Sequence, residues 1–272
     1  MNPSSADKIF AGSIPELYDS YLVPLIFEPF AIDMANRLRD RPLSRVLEVA
    51  AGTGVVTRAM AAALPDGVAI VATDLNQPML DQAAANGTKR RVEWRQADAM
   101  ALPFDDDSFD AVVCQFGVMF FPDKAKAFAE ARRVLRDGGA YVFSTWDRIE
   151  DNEFAATVTD ALETVFPNDP PRFMARIPHG YWETPRIEQD LRGGGFAGTP
   201  EFALVTERSR AASARIPALA YCEGTPLRNE IEARDRGKLG AATDAATQAI
   251  ARRFGSGAVD GKIQAHVICA IK

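Results

Sequence analysis

Apolar residues in the first half of the chain alternate between short β-branched runs and longer stretches with helical spacing. The predicted strands are 45–50, 69–74, 91–98, 108–116 and 140–146. Short apolar strands separated by amphipathic helices are typical of a parallel α/β sheet. The strand at 108–116 is almost wholly apolar, as expected of a central strand buried on both faces. Pro78 suits the first turn of a helix, and Gly138-Gly139 predict the end of a helix over 124–135.

The second half of the chain has a less regular pattern. Helices are predicted near 152–166, near 185–191 and over most of 209–253, and strands at 201–208 and 263–271. We therefore predict one domain over residues 1–272. Its fold class is α/β: a seven-stranded, mostly parallel Rossmann-like sheet with helices on both faces and an antiparallel last strand. Residues 1–42 are expected to form a helical lid, and 148–200 and 209–258 are expected to be helical insertions on the substrate side.

Composition excludes several classes of protein. The 31 basic and 37 acidic residues give a net charge of -6, which argues against a duplex nucleic-acid binder. Three scattered cysteines and two histidines offer neither a disulfide framework nor a metal centre. The apolar stretch 21–32 is too short for a membrane span and is broken by Pro24 and Pro29. No secretory signal is visible, and we expect a cytoplasmic protein.

The segment EVAAGTGVVT places Gly52 and Gly54 in the turn between a strand and a helix. Asp74 ends the next strand, about 20 residues on, where a carboxylate accepts hydrogen bonds from a ribose. This context favours an adenosine-type ligand over a plain βα turn. A dinucleotide fingerprint needs a third glycine, and Thr57 stands in its place. Glu48 would repel a pyrophosphate, so the turn favours a ligand with an amine or a sulfonium.

Four segments in order resemble one family. VLEVAAGTG is similar to its first motif, Asp74 to the acid that ends its second strand, QADAMALPFDDDSFDAVVCQFGVMFF to its fourth-strand region, and ARRVLRDGGAYVFSTW to its fifth. The family is the class I S-adenosylmethionine-dependent methyltransferases, in particular the branch around the ubiquinone/menaquinone-biosynthesis C-methyltransferases, and the resemblance spans 46–146. Two departures are Ala50, where the family commonly has glycine, and Asp137, where it commonly has proline.

The resemblance implies S-adenosylmethionine as cofactor and S-adenosylhomocysteine as product. The implied cofactor-binding residues are Tyr21, Glu48, Ala50, Gly52, Thr53, Gly54, Asp74, Leu75, Met79, Asp98, Ala99, Met100, Gln115 and Phe116. Asp74 would bind both ribose hydroxyls, and Leu75 and Met79 would pack on the adenine. Asp98 would accept the adenine amino group, with the Ala99 amide on a ring nitrogen. Asp98 as a helix N-cap and Met79 as a core residue stay open as structural alternatives.

Methyl transfer needs its nucleophile in line with the methyl group and the sulfur, so positioning supplies most of the catalysis. The resemblance places Gln115 and Phe116 facing the methyl group; Phe116 as a core residue stays an alternative. His179 is the candidate catalytic base, with an exposed or structural loop histidine as its alternative. Tyr21 would belong to the lid, unless it only packs its helix.

The (D/N)PPY signature of planar-amide N-methyltransferases is absent from the end of the fourth strand. This leaves a small-molecule acceptor methylated on O, C or N. The insertion contains six large apolar or aromatic residues: Phe154, Phe166, Phe173, Met174, Tyr181 and Trp182. They favour an apolar or aromatic acceptor, although they can equally pack the insertion. An NAD(P)-dependent oxidoreductase and a non-catalytic S-adenosylmethionine-binding protein remain as alternative functions. A homodimer is left open.

Overall fold

The computed structural model describes residue 10 and residues 12–272. The described residues form two compact units. The first unit contains residues 10, 12–27, 146–180 and 205–265, and the second contains 28–145, 181–204 and 266–272. Of the predicted lid 1–42, residues 1–9 and 11 lie outside the described residues. The predicted single domain stays a prediction.

Seven strands in the described part of the chain form one sheet. They are β1 Arg45–Val49, β2 Ala69–Asp74, β3 Glu93–Gln96, β4 Phe109–Gln115, β5 Leu135–Trp146, β6 Glu201–Ala211 and β7 Val259–Ile271. Their order across the sheet is β3-β2-β1-β4-β5-β7-β6. The sheet is mostly parallel and its last strands are antiparallel, so the predicted Rossmann-like fold class is confirmed.

Helices connect these strands. They are α1 Ile14–Leu17, α2 Glu28–Arg39, α3 Val55–Ala63, α4 Gln77–Asn86, α5 Lys124–Val134, α6 Glu153–Val165, α7 Phe173–Arg176, α8 Thr184–Gly193, α9 Arg215–Glu223, α10 Leu227–Arg234 and α11 Leu239–Phe254. A π-helical segment, Tyr18–Phe27, joins α1 to α2 and contains Pro24. Pro78 lies in the first turn of α4, as predicted.

The prediction that Gly138 and Gly139 end a helix is wrong. Helix α5 already ends at Val134, and both glycines lie inside β5. Gly138 N–H donates to the carbonyl oxygen of Lys272 (3.3 Å), and Lys272 N–H donates to that of Gly139 (3.0 Å). A Cβ on Gly139 would lie 2.7 Å from the carbonyl oxygen of Arg136. Gly139 therefore allows close backbone approach within the sheet, and Gly138 provides a left-handed φ angle of 76°; neither glycine caps a helix.

Each unit has its own apolar core. In the second unit the central strands β1 and β4 are buried, and the rings of Phe109, Phe128 and Phe143 are fully enclosed. In the first unit Phe154 of α6 is fully buried and its ring packs edge-on against Phe254. No helix in the described part of the chain is long and apolar enough to cross a membrane.

Candidate functional site

The turn between β1 and α3 contains three residues with a left-handed backbone. Ala50, Gly52 and Gly54 have φ angles of 56°, 57° and 83°. A Cβ added at Gly54 would lie 3.0 Å from the Trp94 ring and 3.1 Å from Ala83 Cβ. Gly54 is therefore required by its φ angle and by its neighbours. Ala50 adopts the same backbone region with a side chain, at a cost of about 1 kcal/mol.

The Ala50 side chain also restricts position 117 to glycine. A Cβ on Gly117 would lie 2.5 Å from Ala50 Cβ and 2.7 Å from Cys114 Sγ. We expect Gly117→Ala to lower the free energy of unfolding by about 2–3 kcal/mol, and Ala50→Gly to raise it by about 1 kcal/mol. In the double variant Gly117→Ala should lower the free energy of unfolding by less than it does in the wild type, because Ala50 Cβ is no longer in the way of the new methyl group. Urea unfolding of the four proteins measures this coupling.

Gly67→Ala is the matched control for a new methyl group, because among the described residues no heavy atom beyond its two chain neighbours lies within 4 Å of a Cβ there. We expect this control to change the free energy of unfolding by less than about 0.5 kcal/mol. Strictly additive effects of the substitutions at Ala50 and Gly117 would show that their side chains do not compete for the same space.

Glu48 lies near the buried carboxyl end of β1. The residue is 1% exposed, and the Thr57 hydroxyl of α3 donates a 2.5 Å hydrogen bond to Oε2. Burial raises the pKa of Glu48 from 4.5 to about 8; the Thr57 hydrogen bond opposes this rise and the charge of Asp74 adds to it. Glu48 is thus mostly protonated at pH 7, and an approaching cation would favour its ionised form.

Asp74 ties the end of β2 to the glycine turn. Oδ2 accepts a hydrogen bond from the backbone N–H of Gly52 (2.9 Å), and Oδ1 accepts one from that of Asn76 (2.8 Å). Burial raises the pKa of Asp74, and these two backbone hydrogen bonds limit the rise. Oδ1 also accepts a longer hydrogen bond from the Asn76 side-chain amide (3.4 Å), whereas Oδ2 can accept a second hydrogen bond. The side chain can therefore hold the turn and still bind a pair of hydroxyl groups, one of them in place of the Asn76 amide.

The residues predicted to bind the base follow β2 and β3. Leu75 is 48% exposed although it is apolar, and Gln96 donates a 2.8 Å hydrogen bond to its carbonyl oxygen. Asp98 is exposed, and its Oδ1 accepts a hydrogen bond from Met100 N–H (2.8 Å). Met79 is buried, as a core residue would be. Its contact with an adenine stays a prediction.

The carboxyl end of β4 has a strained backbone. Phe116 has a φ angle of 53°, and its N–H donates to the carbonyl oxygen and to the hydroxyl of Ser144, both at 3.2 Å. Its ring packs edge-on against Phe30, with ring centres 5.3 Å apart. Gln115 pairs with Ser144 across β4 and β5. Strain maintained in this way is typical of ligand-binding positions.

The strand register brings most of the predicted residues to one edge of the sheet. Glu48 pairs with Ala72 of β2 and Val113 of β4, and Asp74 pairs with Gln96 of β3. Because these strands are parallel, their carboxyl ends meet at the same edge. The predicted residues at or directly after this carboxyl edge are Glu48, Ala50, Gly52, Thr53, Gly54, Asp74, Leu75, Asp98, Ala99, Met100, Gln115 and Phe116.

Two predicted residues, Tyr21 and His179, belong to the first unit. His179 is buried, and its Nδ1 lies 2.8 Å from the carbonyl oxygen of Asp147. A carbonyl only accepts, so Nδ1 carries the hydrogen and Nε2 is left as an acceptor. Burial lowers the pKa of His179 to about 4, and the ring is neutral at pH 7. Tyr21 is half-buried in the π-helical segment. The roles of both residues stay predictions.

Sequence reasoning missed two contributors to the site. It treated Thr57 only as the residue that replaces a third glycine, whereas its hydroxyl is the hydrogen-bond donor to Glu48. Asn76 was not assigned at all, although it precedes α4 and its N–H binds Asp74. The nine-residue spacing from Glu48 to Thr57 spans one strand end, one turn and the first turn of a helix, so it places both residues near the turn without fixing the hydrogen bond between them.

Comparison with known proteins finds similarity to methyltransferases in the central part of the chain. Residues 47–143 match the family model of the methyltransferase domain. The ubiquinone/menaquinone biosynthesis C-methyltransferase of Teredinibacter turnerae is 36% identical over 118 residues, which cover 42% of this chain and 46% of that protein. The chain spans about half the length of the curated relatives it matches. The resemblance to class I methyltransferases is thus confirmed for the part that runs from β1 into β5.

Solved structures share the fold over most of the chain. Phosphoethanolamine N-methyltransferase 2 of Haemonchus contortus, in complex with S-adenosyl-L-methionine, matches with a TM-score of 0.57 and 16% identity, covering 99% of this chain and 60% of that one. The (4+2)-cyclase SpnF matches with a TM-score of 0.52 and 19% identity, covering 89% of this chain and 79% of that one. At these identities the likeness shows the fold alone.

Proposed function

We propose that this protein is an S-adenosylmethionine-dependent methyltransferase that acts on a small molecule. The observation that supports this most is the buried, mostly protonated Glu48 beside the glycine turn, one strand away from Asp74. An ammonium or sulfonium group beside Glu48 would favour its ionised form and would be stabilised by that charge, whereas a pyrophosphate would disfavour ionisation. This electrostatic preference separates the proposed cofactor from a dinucleotide.

The residues at the carboxyl edge fit S-adenosylmethionine. The Thr53 hydroxyl is buried and has no hydrogen-bond partner among the described residues, so a polar ligand group would satisfy it. Asp74 has capacity for two ribose hydroxyls, Leu75 offers exposed apolar surface to an adenine, and Asp98 offers a carboxylate to its amino group. When bound, this cofactor supplies an electrophilic methyl group on a sulfonium.

The chain contributes binding and orientation, without a covalent intermediate on the protein. The Cys114 thiol in β4 is buried, and burial raises its pKa to about 12, so it stays protonated and is not a nucleophile. Glu48 would ionise when the cofactor binds, and its negative charge would then balance the positive charge of the cofactor. Gln115 and Phe116 are proposed to shape the space in front of the methyl group, where in-line geometry determines the rate.

We keep His179 as the proposed residue on the acceptor side. Its Nδ1–H is held by the Asp147 carbonyl, which leaves Nε2 to accept a proton or a hydrogen bond. With a pKa of about 4 it is a weak base. As a weak base, His179 suits an acceptor whose proton leaves while the methyl group is being transferred. It is too weak to ionise a phenol before the transfer.

We further propose an apolar or aromatic acceptor. The sequence offered six insertion residues for its binding: Phe154, Phe166, Phe173, Met174, Tyr181 and Trp182. Five are buried, so packing within their own units accounts for them, whereas Trp182 is 39% exposed. Trp182 is therefore the member of this set that supports the proposal. The net charge of -6 supports a small acceptor over a nucleic acid, and a cytoplasmic location remains part of the proposal.

Titration calorimetry tests the cofactor. We expect S-adenosylhomocysteine to bind with micromolar affinity, and NADH and NADPH to show no binding under the same conditions. Glu48 is the physical reason, because a bound sulfonium drives Glu48 to ionise and is stabilised by its charge, whereas a pyrophosphate keeps Glu48 neutral and gains no charge interaction. Binding of a nicotinamide cofactor in place of S-adenosylhomocysteine would overturn the proposal and favour an oxidoreductase.

Transfer of a labelled methyl group from S-adenosylmethionine to phenols, quinones, amines and carboxylic acids tests the reaction. Transfer to phenols or quinones is the expected outcome. Reaction of polar acids alone would contradict the apolar acceptor. Cofactor binding without transfer to any acceptor would favour the non-catalytic alternative or another reaction, as the cyclase among the similar folds illustrates.

A further inference from the structure

Arg133, near the end of α5, uses all five N–H donors of its guanidinium group. Nε donates to Glu130 Oε1 (2.8 Å) and Nη2 donates to Glu130 Oε2 (2.9 Å). The other donors reach the segment after β3: the carbonyl oxygens of Leu102 (2.9 Å) and Phe104 (2.8 Å) and the carboxylate of Asp106 (2.7 Å). A planar fork with five donors is a property of arginine that lysine lacks.

Glu130 completes this arrangement. Its Oε2 also accepts a hydrogen bond from Leu102 N–H (2.8 Å), so helix α5 binds both backbone groups of Leu102. The Arg133 hydrogen bond lowers the pKa of Glu130, and Glu130 raises the pKa of Arg133. Both side chains are therefore charged around neutral pH, and their bidentate contact is of the strong kind. We call Glu130 and Arg133 the α5 clamp.

The α5 clamp holds one end of the turn formed by residues 98–101. Ala101 N–H donates to the Asp98 carbonyl oxygen (3.0 Å), and Leu102 follows directly. At the other end of the turn, Ala97 N–H donates to the Asp74 carbonyl oxygen (3.0 Å). The turn is thus fixed between β2, which carries the proposed ribose ligand, and α5. A carboxylate on a turn fixed at both ends has a defined distance from the ribose site.

We propose that Arg133 and Glu130 are positioning residues for recognition of the base: they hold the 98–101 turn so that the Asp98 carboxylate meets the adenine amino group. This inference rests on the proposed function, in which Asp98 binds that amino group. Neither clamp residue touches the ligand, and both act through Asp98. Loss of the clamp therefore weakens discrimination between bases more than it weakens the ribose contacts.

Affinities for S-adenosylhomocysteine and S-inosylhomocysteine measure this discrimination, because inosine has a carbonyl oxygen where adenine has the amino group. The wild type should prefer the adenosyl ligand at least about tenfold, since a carboxylate repels that oxygen. Arg133→Met and Arg133→Lys should reduce the preference to within about threefold, as should Asp98→Asn. In the Asp98→Asn background, Arg133→Met should cause no further loss of preference.

Arg136→Met is the matched control. Arg136 binds the Asp107 carbonyl oxygen, Ser44 and Asp110, and does not bind Leu102. Loss of the Arg136 side chain should leave the preference for the adenosyl ligand unchanged. If Arg133→Met does not fold, Glu130→Gln is tested in its place. Equal weakening of both ligands at a constant ratio would overturn the positioning role. A wild type that binds neither ligand would instead overturn the proposed function.

Discussion

Asp74→Asn is expected to weaken binding of S-adenosylhomocysteine at least about 100-fold. Two ribose hydroxyls donating to an ionised carboxylate contribute about 1.5–3 kcal/mol each, and about 3 kcal/mol corresponds to roughly 100-fold in affinity. The amide also places an –NH2 group against the backbone N–H of Gly52 or Asn76, both of which now donate to Asp74. The glycine turn therefore loses an anchor together with the ligand. Titration calorimetry of wild type and variant measures the change.

Asp81→Asn is the control for the loss of one negative charge. Asp81 lies on α4, is exposed, and accepts a hydrogen bond from Gln77 (2.8 Å). We expect this variant to bind S-adenosylhomocysteine within about twofold of the wild type, because the charge is screened by solvent. Thermal unfolding shows whether Asp74→Asn is folded. A folded Asp74→Asn protein with wild-type affinity would mean that Asp74 does not bind the ribose.

The sheet was predictable where burial determines the pattern of side chains. Strand β2 has the bounds predicted for it, 69–74, because five of its six residues are buried and its apolar run lies between Gly67 and Asp74. Strand β3 was predicted over 91–98 and spans only Glu93–Gln96. It lies at the edge of the sheet with mostly exposed side chains. An exposed edge strand has no apolar pattern that fixes its ends.

The site was predictable where the backbone restricts residue type. Gly52, Gly54 and Asp74 could be placed because a left-handed turn and a strand end restrict both residue type and spacing. The hydrogen bond from Thr57 to Glu48 could not, because it depends on how α3 is rotated above the strand. The environment of His179 could not be predicted either, because its burial and its contact with the Asp147 carbonyl oxygen depend on tertiary structure.

The raised pKa of Glu48 predicts that part of the stability is lost as the pH rises. Between pH 4.5 and about 8 the native state holds the Glu48 proton and the unfolded state does not. Stability therefore falls with pH, by up to about 1.4 kcal/mol for each pH unit in this window. Glu48→Gln mimics the protonated form, and its side-chain oxygen still accepts from Thr57. We expect the variant to match the wild type at pH 4.5 and to be more stable at pH 8 by about 3–5 kcal/mol.

Urea unfolding of wild type and Glu48→Gln at half-unit steps from pH 4.5 to 8.5 measures the effect as a difference between the two proteins. The difference is needed because the pKa of His179 is lowered from 6.5 to about 4. That histidine makes the stability of both proteins rise with pH below 6.5, against the trend from Glu48. Above pH 6.5 the histidine no longer changes the stability with pH, and the wild type alone should lose stability through Glu48.

Glu93→Gln, an exposed change of equal charge on β3, is the control. Its free energy of unfolding should change with pH in the same way as that of the wild type. A constant difference between Glu48→Gln and wild type would mean that Glu48 is ionised throughout, and the electrostatic argument for a cationic ligand at this turn would then fail.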